Sequence, residues 1–183
     1  MVGSSWVKGT RSLVLPNHRH IFSPPHMTSN PNPSVYSPTI PRRSYAVSLS
    51  DADTGRDGVD AIEVFELLRH INDPEHPLTL EQLDVAKLDF IAVDDGASTL
   101  DVRFKPTIPH CSMATLIGLC IRVKLIRALP ARFKTTVRIE PGTHMQEESV
   151  NKQLNDKERV SAALENANLL ELVNRCLAGT DQI

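Results

Sequence analysis

The sequence predicts a small single α+β domain, residues 57–180, behind an N-terminal tail. Three observations support this class. A helical hydrophobic period opens the region after residue 57, two short alternating segments are joined by an Asp-Asp-Gly turn, and helical patterns surround a third alternating segment. The order is α-β-β-α-β-α, which packs helices against a three-stranded sheet, mixed or mostly antiparallel. At 183 residues and 40% hydrophobic content, the chain can bury one core.

The predicted tail covers residues 1–56. It contains seven of the 13 prolines and no lasting hydrophobic period, so it cannot bury enough apolar area to offset the entropy of ordering it. We expect it to be disordered. Its Ser-rich, basic composition also fits an organelle transit peptide, but only "SSWVKGTRSLVLP" is even weakly amphipathic, and a plain tail is the preferred interpretation.

The first helix is predicted within "DGVDAIEVFELLRHINDP", with Asp60 as its N-cap. Its apolar face recurs every three or four residues and comprises Ala61, Val64, Phe65, Leu68 and Ile71. Asn72-Asp73-Pro74 ends the helix, because a residue before proline is pushed out of the helical region. Thr79, with Gln82 three residues later, predicts a capping box for a short helical turn.

The three strands are predicted from alternation. "KLDFIAV" and "TLDVRFKP", separated by Asp94-Asp95-Gly96, form an antiparallel hairpin. The second strand buries one face and exposes the other, since Leu100, Val102 and Phe104 alternate with charged residues. "FKTTVRIEPG" is the third strand, with Val137 and Ile139 inward.

Two helical regions complete the domain. "SMATLIGLCIRVKLIRAL" is apolar on more than one side and predicts a largely buried helix, although part of it would also alternate in a strand. "NDKERVSAALENANLLELVNRCL" predicts one helix or two short ones, with Asn155 as the N-cap and Glu158 three residues later.

Charge and cysteine usage exclude several function classes. Residues 1–50 hold five basic side chains and no acidic one, so residues 51–183 carry 15 basic and 22 acidic. A domain with this excess of acidic side chains repels the phosphate backbone of nucleic acids, so we expect no direct nucleic-acid partner. No apolar run approaches the roughly 20 residues that cross a bilayer, so no membrane association is expected. Three cysteines without a CxxC pair indicate a reducing, intracellular compartment.

Cys111 is the first candidate functional residue, because it stands just before the predicted buried helix. Unpaired N–H groups at a helix start favour a thiolate, and cysteines so placed can have a pKa lowered from about 8.5 to about 3.5–7.5. His110 would add charge stabilisation if it were protonated. The alternative is that Cys111 is a small apolar residue filling a turn.

His144 is the second candidate, on the loop after the third strand. It could form a thiolate-imidazole pair with Cys111, or the two could be ligands of a soft metal, with Glu147 and Glu148 the nearest further acceptors. The alternative is a solvated loop histidine. Cys120 is predicted to be core, and Cys176 to be core or partly exposed.

The polar stretch "NKQLNDKERV" has two interpretations. Charges three and four apart usually form a solvated helix face, but they can also form a partner surface. The residues that would make this surface are Asn151, Lys152, Asp156, Lys157, Glu158 and Arg159.

Several blocks in one order resemble a known family. "INDPEHPLTLEQL", "PTIPHCSMATLIGLCIRVKL", "PGTH" and "VNKQLNDKERVSAALEN" closely resemble the eukaryotic cytosolic iron-sulfur assembly component 2 (MIP18-like) family, B-type paralogue. The similarity covers about residues 57–178, and "NPSVY" at 32–36 resembles a motif of family tails. Residues 1–31 and 37–56 match no family pattern.

The resemblance implies a non-enzymatic adaptor of cytosolic iron-sulfur protein assembly. Such proteins help a targeting complex, with a WD40 propeller and a HEAT-repeat scaffold, deliver clusters to cytoplasmic and nuclear apo-proteins, and so indirectly support DNA metabolism and chromosome segregation. The family's reactive cysteine matches Cys111. Related members form dimers, some domain-swapped, so a homodimer is also implied.

No stably bound cofactor is expected. One cysteine cannot hold a cluster alone, so any iron-sulfur cluster or zinc at Cys111 would be transient and share ligands. Two other function classes stay open from the residues themselves: a thiol-dependent hydrolase or transferase using Cys111 and His144, and a pure interaction module that needs neither.

Overall fold

The computed structural model describes residues 30–38, 58–111 and 113–180. The predicted disordered tail therefore lies outside the described residues except for 30–38. Nine helices and strands are described, in this order: α1 (Ala61–Arg69), a short 3-10 helix (Leu88–Phe90), β1 (Ile91–Asp94), β2 (Thr99–Phe104), α2 (Ala114–Ala128), β3 (Lys134–Ile139), α3 (Glu147–Asn155), α4 (Lys157–Glu165) and α5 (Ala167–Leu177). The α+β class is confirmed.

The sheet is the mixed one of the two predicted forms, in the order β1-β2-β3. β1 and β2 form the predicted antiparallel hairpin, with Ile91 opposite Val102. β2 and β3 are parallel, with Val102 opposite Val137. The parallel pair follows from α2, because a helix that crosses over between two strands returns the chain in the same direction.

The core lies between the sheet and α2, whose residues are buried from Ala114 through Leu125 with the exception of Thr115. Phe104 and Ile139 are buried on the strands that α2 covers, as predicted for the inward faces. Gly118 lets α3 come close. A Cβ there would overlap Leu154 Cδ1 and lie 3.0 Å from Leu154 Cδ2 and 3.1 Å from Phe104 Cζ.

Two predicted local signals near the first helix are confirmed. The helix itself ends at Arg69, before the predicted stop at Asn72-Asp73-Pro74, so Ile71 is buried outside it. Asp60 caps α1, and its carboxylate accepts a hydrogen bond from Glu63 N at 2.7 Å. Thr79 N donates to Gln82 Oε1 at 2.9 Å while Gln82 N donates to Thr79 Oγ1 at 3.3 Å, which is the reciprocal pattern of a capping box.

The last predicted helical stretch forms two short helices, α4 and α5, which is one of its two predicted forms. Helix α3, which precedes them, was not predicted. The predicted N-cap is wrong, because Asp156 caps α4, and its carboxylate accepts from Glu158 N and Arg159 N. Asn155 instead ends α3. Its side-chain amide accepts from Val137 N at 3.1 Å and donates to Val137 O at 2.8 Å. Asn155 thus satisfies the outer edge of β3 in place of a fourth strand.

Residues 30–38 run against the domain. Tyr36 N donates to Gln82 O at 2.8 Å, and the imidazole Nε2 of His76 lies 2.7 Å from Asn30 O. The tail interpretation did not predict these contacts, because neither hydrogen bond depends on a hydrophobic period.

None of the helices in the described ranges combines the length and the apolar character needed to span a membrane.

Candidate functional site

Cys111 lies in the turn between β2 and α2, where its sequence position predicts it. Its N–H donates to Ile108 O at 3.2 Å, and its carbonyl accepts from Ala114 N, the first residue of α2, at 3.3 Å. Pro106 and Pro109 bound this turn and limit its backbone. The thiol is therefore held at the start of a buried helix.

The three predicted site residues share one cavity of about 380 Å³. Its walls are formed by Pro109, His110, Cys111, His144, Met145 and Gln146. Met145 N donates to Pro109 O at 3.0 Å, which joins the two walls. The loop after β3 and the turn before α2 are brought together in this way, although 33 positions separate His144 from Cys111.

His144 does not pair with the thiol of Cys111. Its Nε2 lies 3.1 Å from the backbone carbonyl of Cys111, and its Nδ1 accepts a hydrogen bond from Gln146 N at 3.1 Å. The ring is therefore a neutral imidazole that carries its proton on Nε2. His144 is a positioning residue for the Cys111 turn, and the thiolate-imidazole pair that a hydrolase would need is not formed.

The predicted lowering of the Cys111 pKa is wrong. The residue is only 4% exposed, and burial raises the pKa of its thiol. The N–H groups of Met113 and Ala114 act in the predicted direction and lower the pKa, but the negative charges of Glu75 and Asp73 raise it further. Burial and these carboxylates outweigh the helix start, so the thiol stays protonated to a pH above its ordinary pKa.

Asp73 and Glu75 are site residues that the sequence interpretation missed. They belong to the loop after α1, where "NDP" was taken only as a helix stop. Asp73 Oδ1 accepts from the N–H groups of Glu75 and His76, both at 2.9 Å, which closes the loop on itself. The charges of Asp73 and Glu75 act on the Cys111 thiol. Burial raises the pKa of Glu75, and Asp73 adds to the shift. The dense polar run Asp-Pro-Glu-His was the signal that could have indicated them.

A complete metal site is absent from the described residues, which contain no group of three or more His, Cys, Asp or Glu side chains that could hold an ion. Glu147, one predicted acceptor, instead accepts from Gly142 N at 2.8 Å.

The other two thiols lie in the core. Cys120 is buried in α2, as predicted, and Cys176 is buried in α5, which selects the first of its two predicted environments. A hydrogen bond between the two thiols, together with burial, raises the pKa of Cys120. Neither residue lines the cavity, and both pack α5 against α2.

The predicted partner surface divides into two sets. Asn151 and Asp156 serve the fold, since Asn151 Oδ1 accepts from Ile139 N at 2.8 Å and Asp156 caps α4. Four charged residues are exposed on α3 and α4 and are available to a partner: Lys152, Lys157, Glu158 and Arg159. Arg159 also lines a mainly apolar groove between α2, α4 and α5.

Comparison with known proteins identifies the family of this chain. A family model described as iron-sulfur cluster assembly protein matches residues 62–139, which include Cys111. The MIP18 family protein galla-2 of Drosophila melanogaster is 55% identical over 84% of this chain and 97% of its own. Cytosolic iron-sulfur assembly component 2B of Mus musculus is 57% identical over 83% and 92%, and Protein AE7 of Arabidopsis thaliana is 52% identical over 81% and 94%. The chain belongs to the MIP18 family of iron-sulfur cluster assembly proteins.

Proposed function

We propose that this chain is a cytosolic adaptor that helps a targeting complex deliver iron-sulfur clusters to apo-proteins of the cytoplasm and nucleus. Family membership supports a role in cluster assembly, and two relatives bear the name cytosolic iron-sulfur assembly component 2B. The observation that carries the proposal is the Cys111 thiol, which is fixed at a helix start and lines a cavity. Thiolates are the usual protein ligands of cluster iron.

The raised pKa keeps the Cys111 thiol protonated and therefore unreactive. In the free protein Cys111 keeps its proton, so it is a weak nucleophile and a poor ligand. When a cluster iron approaches, the S–H proton would pass to solvent water as the Cys111 thiolate replaces one ligand of the donor on that iron, and the N–H groups of Met113 and Ala114 would stabilise the thiolate. Because one thiol cannot retain a cluster, the remaining ligands come from the donor, the recipient or a second copy of this chain. Binding of a cluster through this one thiol is therefore transient.

The partners in this proposal are a WD40 propeller, a HEAT-repeat scaffold and the recipient apo-proteins. The exposed charged set on α3 and α4 is the proposed contact surface. Helix α3, which carries part of this set, begins directly after Gln146, a residue that lines the cavity. Support for DNA metabolism and chromosome segregation would be indirect, through recipients that act on DNA.

The test compares tagged wild-type and Cys111→Ala proteins in cells. Affinity pull-down with mass spectrometry reports the partners, and radio-iron incorporation into a recipient reports delivery. We expect both proteins to bring down the propeller and the scaffold, and only the wild type to support iron incorporation.

Cys120→Ala is the matched control, because it removes a buried thiol that does not line the cavity. It should bind partners and support incorporation, provided that its circular dichroism spectrum shows a folded chain. Unchanged incorporation with Cys111→Ala would remove the ligand role and leave a pure interaction module. Failure of the wild type to capture the propeller and scaffold would overturn the adaptor proposal itself.

A further inference from the structure

The imidazole of His76 is held between two hydrogen-bond acceptors. Its Nδ1 lies 2.9 Å from Asp73 Oδ1, and its Nε2 lies 2.7 Å from the backbone carbonyl of Asn30. The ring is largely buried, with 14% of its side chain exposed, and the Asp73 carboxylate is 4% exposed. The second contact spans 46 positions and joins residues 30–38 to the domain.

Neither partner of this ring can donate a proton. A backbone carbonyl only accepts. Asp73 Oδ1 already accepts from the N–H groups of Glu75 and His76, so this oxygen also faces the ring as an acceptor. Both nitrogens of His76 must therefore carry hydrogen, and the geometry describes an imidazolium.

A further hydrogen bond and a cavity also link the docked segment to the domain. Tyr36 N donates to Gln82 O at 2.8 Å, and the segment borders a polar cavity of about 140 Å³ whose other wall includes Asp84 and Lys105. Residues 30–38 contain no charged side chain. A charge-assisted hydrogen bond is roughly twice as strong as a neutral one, so its loss weakens the docking of this uncharged segment.

We propose that residues 30–38 form a proton-dependent clasp, docked while His76 is an imidazolium and released when His76 becomes neutral. A neutral ring keeps one N–H. Because Asp73 is the charged and more buried acceptor, that proton stays on Nδ1, and Nε2 then presents a lone pair to the carbonyl of Asn30. Two acceptors facing each other repel, and the segment leaves.

The groups that face His76 set the direction of its pKa. Burial lowers the pKa, but the Asn30 carbonyl and the Asp73 carboxylate raise it, and the charge of Glu75 adds to them, so that the net shift is upward. A group whose folded pKa is raised contributes stability that is complete below its ordinary value of about 6.5 and is lost as the pH rises through the raised value. Docking is thus strongest in mildly acidic solution and weakens on the alkaline side.

The clasp does not depend on the proposed role in cluster delivery. The two sites are coupled electrostatically, because the charges of Asp73 and Glu75 act on both His76 and the Cys111 thiol. Release of residues 30–38 would uncover the side of this loop that Asn30 now covers.

Nuclear magnetic resonance of the full ¹⁵N-labelled chain tests the clasp between pH 5.5 and 9. The {¹H}-¹⁵N nuclear Overhauser effect at the amides of Val35 and Tyr36 reports whether the segment is held, and the ring resonances of His76 report its protonation. As the pH rises, we expect the Overhauser effect at both amides to fall from the high values of ordered core amides to the low values of mobile ones. The midpoint of this fall should coincide with the midpoint of the His76 titration. Each unit by which docking raises the His76 pKa should weaken docking tenfold once the ring is neutral.

Two variants sharpen the experiment. His76→Gln cannot titrate and should give amides whose Overhauser effect is independent of pH. His70→Gln, a control on the exposed end of α1, should keep the wild-type midpoint. The clasp is disproved if Tyr36 stays held while His76 titrates, or if the transition persists in a folded His76→Gln. Should that variant fail to fold, the coincidence of the two wild-type curves still decides.

Discussion

Two residues carry most of the chemistry of the cavity, and each behaves differently from its sequence context. Cys111 stands at a helix start, which lowers a thiol pKa, but it is buried beside carboxylates, which raises it. His144 is close to Cys111, but its two nitrogens bond to backbone groups. The site is therefore a buried, protonated thiol in a turn that is constrained by backbone hydrogen bonds.

The pKa of Cys111 should respond to Glu75. Glu75→Gln removes a negative charge that disfavours the thiolate, so the midpoint of Cys111 alkylation by iodoacetamide should move to lower pH. Site-resolved mass spectrometry of pH-stepped reactions measures it. Glu171→Gln, on the exposed side of α5, should leave the midpoint unchanged. Equal midpoints in the wild type and Glu75→Gln would show that burial alone sets the pKa.

Removal of the His144 ring should loosen the Cys111 turn. His144→Ala leaves Cys111 O and Gln146 N without their partner, which costs about 1–3 kcal/mol of unfolding free energy. Alkylation of Cys111 should become faster because the thiol is less well covered. Urea denaturation and alkylation rates check this. His70→Ala, an exposed histidine, should change the free energy by no more than about 0.5 kcal/mol.

At the scale of elements, the close approach of α2 and α3 explains how the C-terminal helices are held on the sheet. Gly118 provides the space on α2, and Leu154 fills it from α3. Asn155, one residue later, bonds to the edge of β3. α3 is thereby fixed to a helix and a strand at once, although its own sequence is mainly polar.

Gly118→Ala should destabilise the domain, although alanine is the better helix former. The new methyl group overlaps Leu154 in a closed core, which costs about 1–3 kcal/mol, against a helix-propensity gain of about 1 kcal/mol. Chemical denaturation measures the net loss. In a double-mutant cycle, Leu154→Ala should absorb part of this cost. Strict additivity of the two changes would mean that the contact with Leu154 is not the cause.

At the scale of the whole molecule, a buried ion pair ties α1 to the turn that follows it. Arg69 donates from Nε and Nη2 to the two carboxylate oxygens of Glu81, at 2.9 and 3.0 Å. Both side chains are less than a tenth exposed. The pair fixes the loop that presents Asp73 and Glu75 to the Cys111 turn and receives residues 30–38.

Glu81→Gln should therefore cost about 3 kcal/mol of global stability, because it leaves a buried cation without its full partner. Asp101→Asn, which removes the partner of Arg138 on the open sheet face, should cost no more than about 1 kcal/mol, since that pair is exposed. Thermal and urea unfolding of both variants provide the comparison. Similar losses in the two variants would show that burial does not distinguish these pairs.

The elements of this fold were predictable wherever the deciding contacts are local. Asp60, the Thr79–Gln82 box and the Asp-Asp-Gly turn act over three or four residues, so the sequence alone indicates them. The position of Cys111 before a helix is local as well. Asn155 shows the limit of such predictions. It is a good capping residue, but its side-chain amide instead accepts a hydrogen bond from Val137 N on the edge of β3.

Local patterns in the sequence are enough to predict the class, the hairpin, the buried helix and the family of the cavity residues. Four features emerge only in the folded chain: the parallel pairing of β3, the upward shift of the Cys111 pKa, the bonding of His144 and the docking of residues 30–38. The physical reason is that these features depend on burial and on charges brought together from distant parts of the chain. A side chain's neighbours along the chain fix its propensity, whereas its neighbours in space fix its protonation state.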